Sequence, residues 1–215
     1  MRIGILGSGN VAKSLSRGFV ARGDEVRLGT RTGSKAQLAA WIAEQHLAIA
    51  QGTLEGVTGW AEAIVLAMRG MANPETVRAA GEPAFRGKVV IDATNPLVWR
   101  ADGFPSLGLP EPESAGARLQ KDLPGAKVVK AFNTIGHAHM VRPQFANPPT
   151  MFICGDDPTA KTWVTELLRD FGWSSIVDVG GIERSRLLES LCVLWITCGM
   201  RLENWNIAMR LEQRI

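Results

Sequence analysis

Short apolar runs alternate along the chain with amphipathic stretches of helical period, the pattern of βαβ units on a parallel sheet. Arg2 to Leu6 reads as a core strand. Behind it Val11, Leu15 and Phe19 recur every fourth residue and predict a helix over Asn10 to Arg22 with those three inward. Gly23 is placed to end that helix, because glycine enters the left-handed region without a steric cost. Glu25 to Gly29 predicts a second strand, and Ser34 to Gln45 a helix with Leu38, Trp41 and Ile42 inward. Further strands are expected near Leu47 to Ala50, Ala63 to Met68, Lys88 to Asp92, Lys127 to Phe132, Thr150 to Cys154 and Ile176 to Val179. Helices are expected from about Pro74 to Ala80, Ser114 to Lys121 and Thr159 to Phe171. Pro96 to Pro112, rich in proline and glycine, predicts a surface loop longer than a simple connection needs, either a lid or an insertion. From Glu183 to about Leu211 the apolar residues keep a three-to-four spacing that predicts one long helix. The fold class is therefore α/β: a Rossmann-type doubly wound, mostly parallel sheet with a small C-terminal α/β portion ending in a long helix.

Composition narrows the function classes. The 215 residues are 46% hydrophobic and 21% charged, the balance of a globular chain with a full core. Net charge is +3 and the basic residues are scattered, so no nucleic-acid partner is expected. No apolar run is long enough to span a membrane, and the chain enters its first strand without a secretory leader, so no membrane partner is expected. Cys154, Cys192 and Cys198 form no close pair, which suits buried thiols in a reducing cytoplasm; no metal site is expected, since the three histidines lie far from any cysteine cluster.

Gly7-Ser8-Gly9-Asn10-Val11-Ala12 fits the glycine fingerprint of dinucleotide binders and stands between a strand and an amphipathic helix, the context that gives the pattern its meaning. Gly7 permits the tight turn, Gly9 lets backbone approach a pyrophosphate, and Ala12 is small enough for close helix–strand packing. The free N–H groups at the helix start then face the diphosphate. The end of the second strand decides between NAD and NADP. Leu28-Gly29-Thr30-Arg31-Thr32-Gly33-Ser34-Lys35 offers no carboxylate for a ribose 2′-hydroxyl, while Arg31, Lys35 and Thr30 provide donors for a 2′-phosphate. Two further loops follow strands at their carboxyl ends, where ligands sit in open α/β sheets. Ala67-Met68-Arg69-Gly70 is expected along the ribose and pyrophosphate. Asn95-Pro96 is either on the nicotinamide side or simply a turn.

With these residues in hand, the chain resembles the coenzyme F-420-dependent NADP oxidoreductases. The likeness is carried by Gly7 to Val11, Gly29-Thr30-Arg31 with Lys35, and Asp92 to Pro96. It continues through Val128 to Ile135, Ile153 to Asp157 and Ser185 to Leu191, in order along nearly the whole chain. The architecture is also similar to the oxidoreductase domain of transmembrane metalloreductases. The resemblance implies an NADP-binding Rossmann domain over residues 1–146, with residues 147–215 completing the acceptor site and offering a possible dimer interface. It implies an NADP(H)-dependent reductase with F-420 or a flavin as the second substrate. Carried over by motif, Ser8, Gly9, Asn10, Val11, Thr30, Arg31 and Lys35 would bind NADP. Ala131 to Ile135 would floor the hydride-transfer site, with Asn133 and Thr134 orienting the nicotinamide or the acceptor ring.

His137 and His139 are either acceptor contacts or exposed loop histidines, and Arg184 and Arg186 either meet an anionic acceptor or are solvated charge. Leu191, Leu194, Trp195, Leu202 and Trp205 would pair across a two-fold axis in a homodimer. Two other readings stand beside the reductase: a non-enzymatic NADP(H) sensor, since fold alone does not establish turnover, and an NADP-dependent dehydrogenase of a small organic substrate. Against the latter, fewer than seventy residues follow Thr150, too few for a large helical substrate domain.

Overall fold

The computed structural model describes residues 1–31 and 35–212. Eight strands form one twisted sheet: β1 (Arg2–Leu6), β2 (Glu25–Gly29), β3 (Ile49–Gly52), β4 (Ala63–Leu66), β5 (Val89–Asp92), β8 (Lys127–Lys130), β9 (Thr150–Gly155) and β10 (Ser175–Asp178). A separate antiparallel hairpin joins β6 (Leu97–Trp99) to β7 (Pro105–Leu107). The order across the large sheet is β10-β9-β8-β5-β4-β1-β2-β3. All neighbours run parallel except β8 and β9, which pair antiparallel through Val129 with Gly155 and Lys130 with Cys154. The order reverses at β1, where the chain leaves for β2 on one side and returns to β4 on the other. The carboxyl ends of β1 and β4 therefore open a crevice at this switch point.

Strand side chains alternate between two apolar layers, which is why the sheet is covered on both faces. Ile3, Ile5, Val65, Ile91 and Val129 join one layer under α1 (Asn10–Ala21), α2 (Lys35–Gln45) and α6 (Pro158–Asp170). Leu6, Ile64, Leu66, Val90 and Val128 join the other, under α3 (Leu54–Trp60), α4 (Asn73–Ala80) and α5 (Ala115–Asp122). Helix α7 (Ser185–Arg201) follows β10 and contributes Leu188 to the second layer. Gly4 allows the approach of α3, since a Cβ there would lie 2.8 Å from Ala61 Cβ. Strands β9 and β10 extend the same sheet, and Met151 and Ile153 share the layer of Ile3 and Phe19.

Three features depart from the sequence reading. The pattern predicted one helix to about Leu211, but α7 ends at Arg201 and the chain turns back at Glu203, whose φ is +49°. The returning strap is held by its own bonds. Trp195 Nε1 donates to Ile207 O (2.7 Å), Thr150 N to Met209 O (2.9 Å) and Leu211 N to Thr150 Oγ1 (2.9 Å). Trp205 keeps helical spacing but folds onto Trp195, ring centroids 5.6 Å apart, over the bare backbone of Gly199. The stretch 54–60 was not read as a helix, because two glycines break its pattern, yet Thr53 caps it by accepting from Gly56 N (3.0 Å). The segment 96–112, read as a loop, contains the β6–β7 hairpin.

Candidate cofactor cleft

At the crevice, a cleft of about 380 Å³ is lined by Gly7, Ser8, Gly9, Asn10, Val11, Thr30, Arg31, Ala67, Met68 and Arg69. Every one of these was singled out from the sequence. Gly29, part of the motif at the end of the second strand, also lines it, as do Leu54, Ala72 and Thr76, which the sequence did not point to. Their signal is topological: Leu54 opens the unread helix α3, and Ala72 and Thr76 flank the start of α4 behind the β4 loop.

The local conformation of the glycine loop follows from its neighbours. Gly7 sits at φ +144°, and a Cβ on it would meet Ala67 O at 2.5 Å, so both conformation and space require glycine. Gly9 is the extended N-cap of α1; among the described residues no side chain caps the helix, and a Cβ on Gly9 would meet nothing within 4 Å. Its bare face is open to the cleft, and the first N–H groups of α1 are left to a ligand, with the positive end of the helix dipole behind them. Gly29 ends β2 where a Cβ would press on Leu6 at 2.7 Å, which brings β2 close to β1 at the mouth of the cleft.

The far wall carries the cofactor-selecting end. The hydroxyl of Thr30 is buried, with no hydrogen-bond partner among the described residues, although the residue is only 6% exposed. A buried hydroxyl left without a partner is costly, and at this position a phosphate oxygen would supply one. Arg31 is exposed, its Nη1 3.5 Å from Glu75 Oε1, a loose surface pair that leaves the guanidinium free to turn. The side chain of Lys35 lies outside the described residues. The donor chemistry present thus suits a dinucleotide bearing a 2′-phosphate.

Asn95, Pro96, Ala131, Asn133 and Thr134 gather at the carboxyl ends of β5 and β8, a short step along the sheet from the cleft. Asn95 Nδ2 donates to Asn133 O (2.9 Å) and Asn133 Nδ2 to Asn95 Oδ1 (2.9 Å), a reciprocal pair, and Asn133 Nδ2 also reaches Leu188 O (3.1 Å). Asn133 Oδ1 is buried without a partner among the described residues. Gly70 N donates to Asn95 O (3.0 Å), which ties the Asn95 turn to the loop after β4. Phe132, fully buried, adopts φ +65°, a strained conformation held by the surrounding core. Thr134, Pro96 and Ala131 are buried.

His137 lies elsewhere, in a hollow with Ser14, Arg17, Gly18 and Arg142 that shares no lining residue with the cleft. Its Nδ1 is 3.4 Å from Ser14 Oγ, while His139 packs on Phe145 and meets Asn206 Oδ1 through Nε2 (3.1 Å). Arg186 is engaged with the carbonyls of Leu109 and Glu113 (2.8 Å each), and Arg184 pairs with neighbouring Glu183. Among the described residues no group of three or more His, Cys, Asp or Glu could hold a metal ion.

Behind the asparagine pair lies a cluster that the sequence reading passed over. Lys130 Nζ, wholly buried, donates to Asp92 Oδ2 (2.8 Å), Thr94 O (2.7 Å) and Glu189 Oε1 (3.0 Å). Glu189 also accepts from Ala115 N (3.2 Å) and Gly116 N (3.1 Å) at the start of α5. Burial pulls the Lys130 ammonium pKa down, but Asp92 and Glu189 outweigh it and leave it above the ordinary lysine value. Nothing in the spacing of Asp92, Lys130 and Glu189 announced the contact, because three separate elements bring them together.

The fold, the glycine turn between β1 and α1, and the open helix N-terminus at the switch point define a Rossmann-type dinucleotide-binding protein. Residues 2–96 match the family model described as NADP oxidoreductase, coenzyme F420-dependent. An F420-dependent NADP reductase of Methanocaldococcus jannaschii is 26% identical over 98% of both chains. The metalloreductase STEAP3 of Rattus norvegicus is 30% identical over 88% of this chain and 36% of its own length. A crystal structure from Arthrobacter sp. FB24, described as a candidate F420-dependent NADP reductase, is 29% identical. It superposes with a TM-score of 0.93 over 99% of this chain and all of its own.

Proposed function

We propose that the protein is an NADP(H)-dependent oxidoreductase that passes a hydride between NADP(H) and a deazaflavin of the F420 type, with a flavin as the other acceptor to test. The observation that carries the cofactor is the buried hydroxyl of Thr30, without a partner among the described residues, beside the exposed and loosely paired guanidinium of Arg31, at the strand end where an NAD binder places a carboxylate. The acceptor reading is supported by the whole-length relatives named for that activity. When bound, NADP(H) supplies the hydride chemistry. The protein's share is to align and to exclude water. In this reading the N–H groups of Gly9 to Val11 hold the pyrophosphate, Ser8, Ala67, Met68 and Arg69 border it, and Thr30, Arg31 and Lys35 take the 2′-phosphate. Asn133, whose Oδ1 has no partner among the described residues, orients the nicotinamide end, with Asn95, Pro96, Ala131 and Thr134 around it. His137 contacts the acceptor rather than the nicotinamide, from the neighbouring hollow. Residues 147–215 complete the acceptor side upon the sheet that residues 1–146 begin.

We place the protein in the cytoplasm as a homodimer. Its three cysteines are free, and no described helix is long and apolar enough to cross a membrane. Leu187, Leu194, Leu202 and Trp205 are each about half exposed or more along and just beyond α7. Leu194→Glu is expected to yield a monomer in analytical ultracentrifugation with NADPH binding retained, and an unchanged sedimentation coefficient would remove that face from consideration. The activity is tested by following NADPH oxidation with F420, FMN, FAD and no acceptor in parallel. Turnover with F420 alone is the expected result. Binding without turnover on any acceptor would leave a sensor.

A further inference from the structure

The Asp92–Lys130–Glu189 cluster is fully buried, and its hydrogen bonds decide its charge. Lys130 Nζ spends its three protons on Asp92, Thr94 O and Glu189. Asp92 Oδ1 accepts from Thr94 N (2.9 Å) and Thr94 Oγ1 (2.6 Å). The threonine hydroxyl itself accepts from Asn73 Nδ2 (3.0 Å), so its proton points to Asp92. Glu189 receives two backbone N–H groups besides the lysine. Among the described residues every hydrogen-bond partner of either carboxylate acts as a donor, so a protonated carboxyl would have to give up one of these bonds. Both carboxylates are therefore ionised against one ammonium. Burial holds the two nearest thiols neutral, with Cys154 pushed up to about 11 and Cys192 to about 12, so neither changes the count. The cluster carries one negative charge in excess. The N-terminus of α5 offsets it by only about half a unit.

That charge sits directly behind the asparagine pair. Asp92 and Thr94 lead into Asn95, and Lys130 leads through Ala131 and Phe132 into Asn133, whose amide also holds Leu188 O beside Glu189. Oxidation of a dihydronicotinamide sends the hydride and its electron pair to the acceptor and leaves the ring with one more positive charge. A fixed buried negative charge near that ring favours the oxidised form, because low-dielectric surroundings screen it poorly.

We infer that Asp92, Lys130 and Glu189 set the protein's preference between the two oxidation states of its cofactor, their excess negative charge favouring NADP⁺ over NADPH. The inference rests on the NADP(H) reading of the cleft and adds to it a set of residues that touch neither substrate.

The test is equilibrium titration of the full-length protein and of Glu189→Gln and Asp92→Asn with NADP⁺ and NADPH separately. Each variant removes one negative charge from a different end of the cluster, so loss of folding in one leaves the other as the measurement. In each, Kd for NADP⁺ divided by Kd for NADPH is expected to rise about fivefold over the unmodified protein. That corresponds to a shift of about 20 mV in the bound two-electron couple. A merely structural role weakens both ligands together and leaves the ratio alone, and partial unfolding cancels in it. A ratio unmoved within about twofold, or moved the other way, would overturn the inference. An unmodified protein that binds neither cofactor would instead refute the reading of the cleft on which it rests.

Discussion

At the scale of single residues, the cofactor reading turns on two neighbours with opposite surroundings. Thr30 is buried with a hydroxyl that has no partner among the described residues, so the protein without ligand gains nothing from that oxygen. Thr30→Val is expected to hold or raise the stability of the ligand-free protein, by up to about 1 kcal/mol, while weakening NADPH about tenfold. Thermal melts with and without NADPH check both halves, and a variant that melts lower without ligand would show the hydroxyl already bonded. Arg31 is exposed and only loosely paired with Glu75. Its replacement by glutamate therefore costs little stability but sets a carboxylate against the 2′-phosphate. For Arg31→Glu we expect NADPH affinity to fall at least about tenfold with NADH spared; calorimetry showing unchanged NADPH binding would dismiss the site. These residues were legible in the sequence because a glycine fingerprint and a strand end fix their places within one continuous segment. Asp92, Lys130 and Glu189 were not, since residues far apart in the chain become neighbours only through the sheet order and the return of α7.

At the scale of elements, periodicity found the strands and most helices, because each buries a face whose spacing matches its backbone. It failed where a short element leans on its neighbours. Helix α3 carries two glycines and holds through its Thr53 cap and the packing of Val57 against Gly4 and Gly29. The C-terminal strap failed in the opposite sense. Leu202, Trp205 and Met209 keep helical spacing, yet the chain leaves the helix because Trp205 finds Trp195 and Gly199 behind it. Removing residues 203–215 would strip Trp195 Nε1 and Thr150 N of their acceptors and uncover the face of Trp195. A loss of about 2–3 kcal/mol is expected, read as a melting temperature lower by roughly 4–12 °C. An unchanged melting temperature would mean the strap only rests on the body it covers.

At the scale of the whole molecule, the same burial that keeps the thiols out of the charge count ties global stability to alkaline pH. Cys154 is buried on β9 with Sγ 3.5 Å from Ser185 Oγ, and Cys192 is buried on α7. Burial raises the first to about 11 and the second to about 12, against an ordinary value of 9.0. The unfolded chain therefore begins to shed these protons near pH 9 while the folded chain keeps them. The native state then binds more protons than the unfolded one, and stability must fall as pH rises. Each thiol contributes a slope approaching about 1.4 kcal/mol per pH unit until its folded pKa is reached. Lys130 adds to the fall at higher pH. Its folded pKa lies above the ordinary 10.5, so its contribution is complete below that value and is lost as pH climbs through the folded one. The chain has no tyrosine to titrate in the same range. Urea unfolding of the unmodified protein is thus expected to decline in free energy from about pH 9. Cys154→Ala with Cys192→Ala, less stable at neutral pH, should stay flatter to about pH 10.5. Parallel curves for the two proteins between pH 9 and 10.5 would mean that the thiols ionise in the folded state as readily as in water, and that the centre of the molecule is wetter than its packing implies.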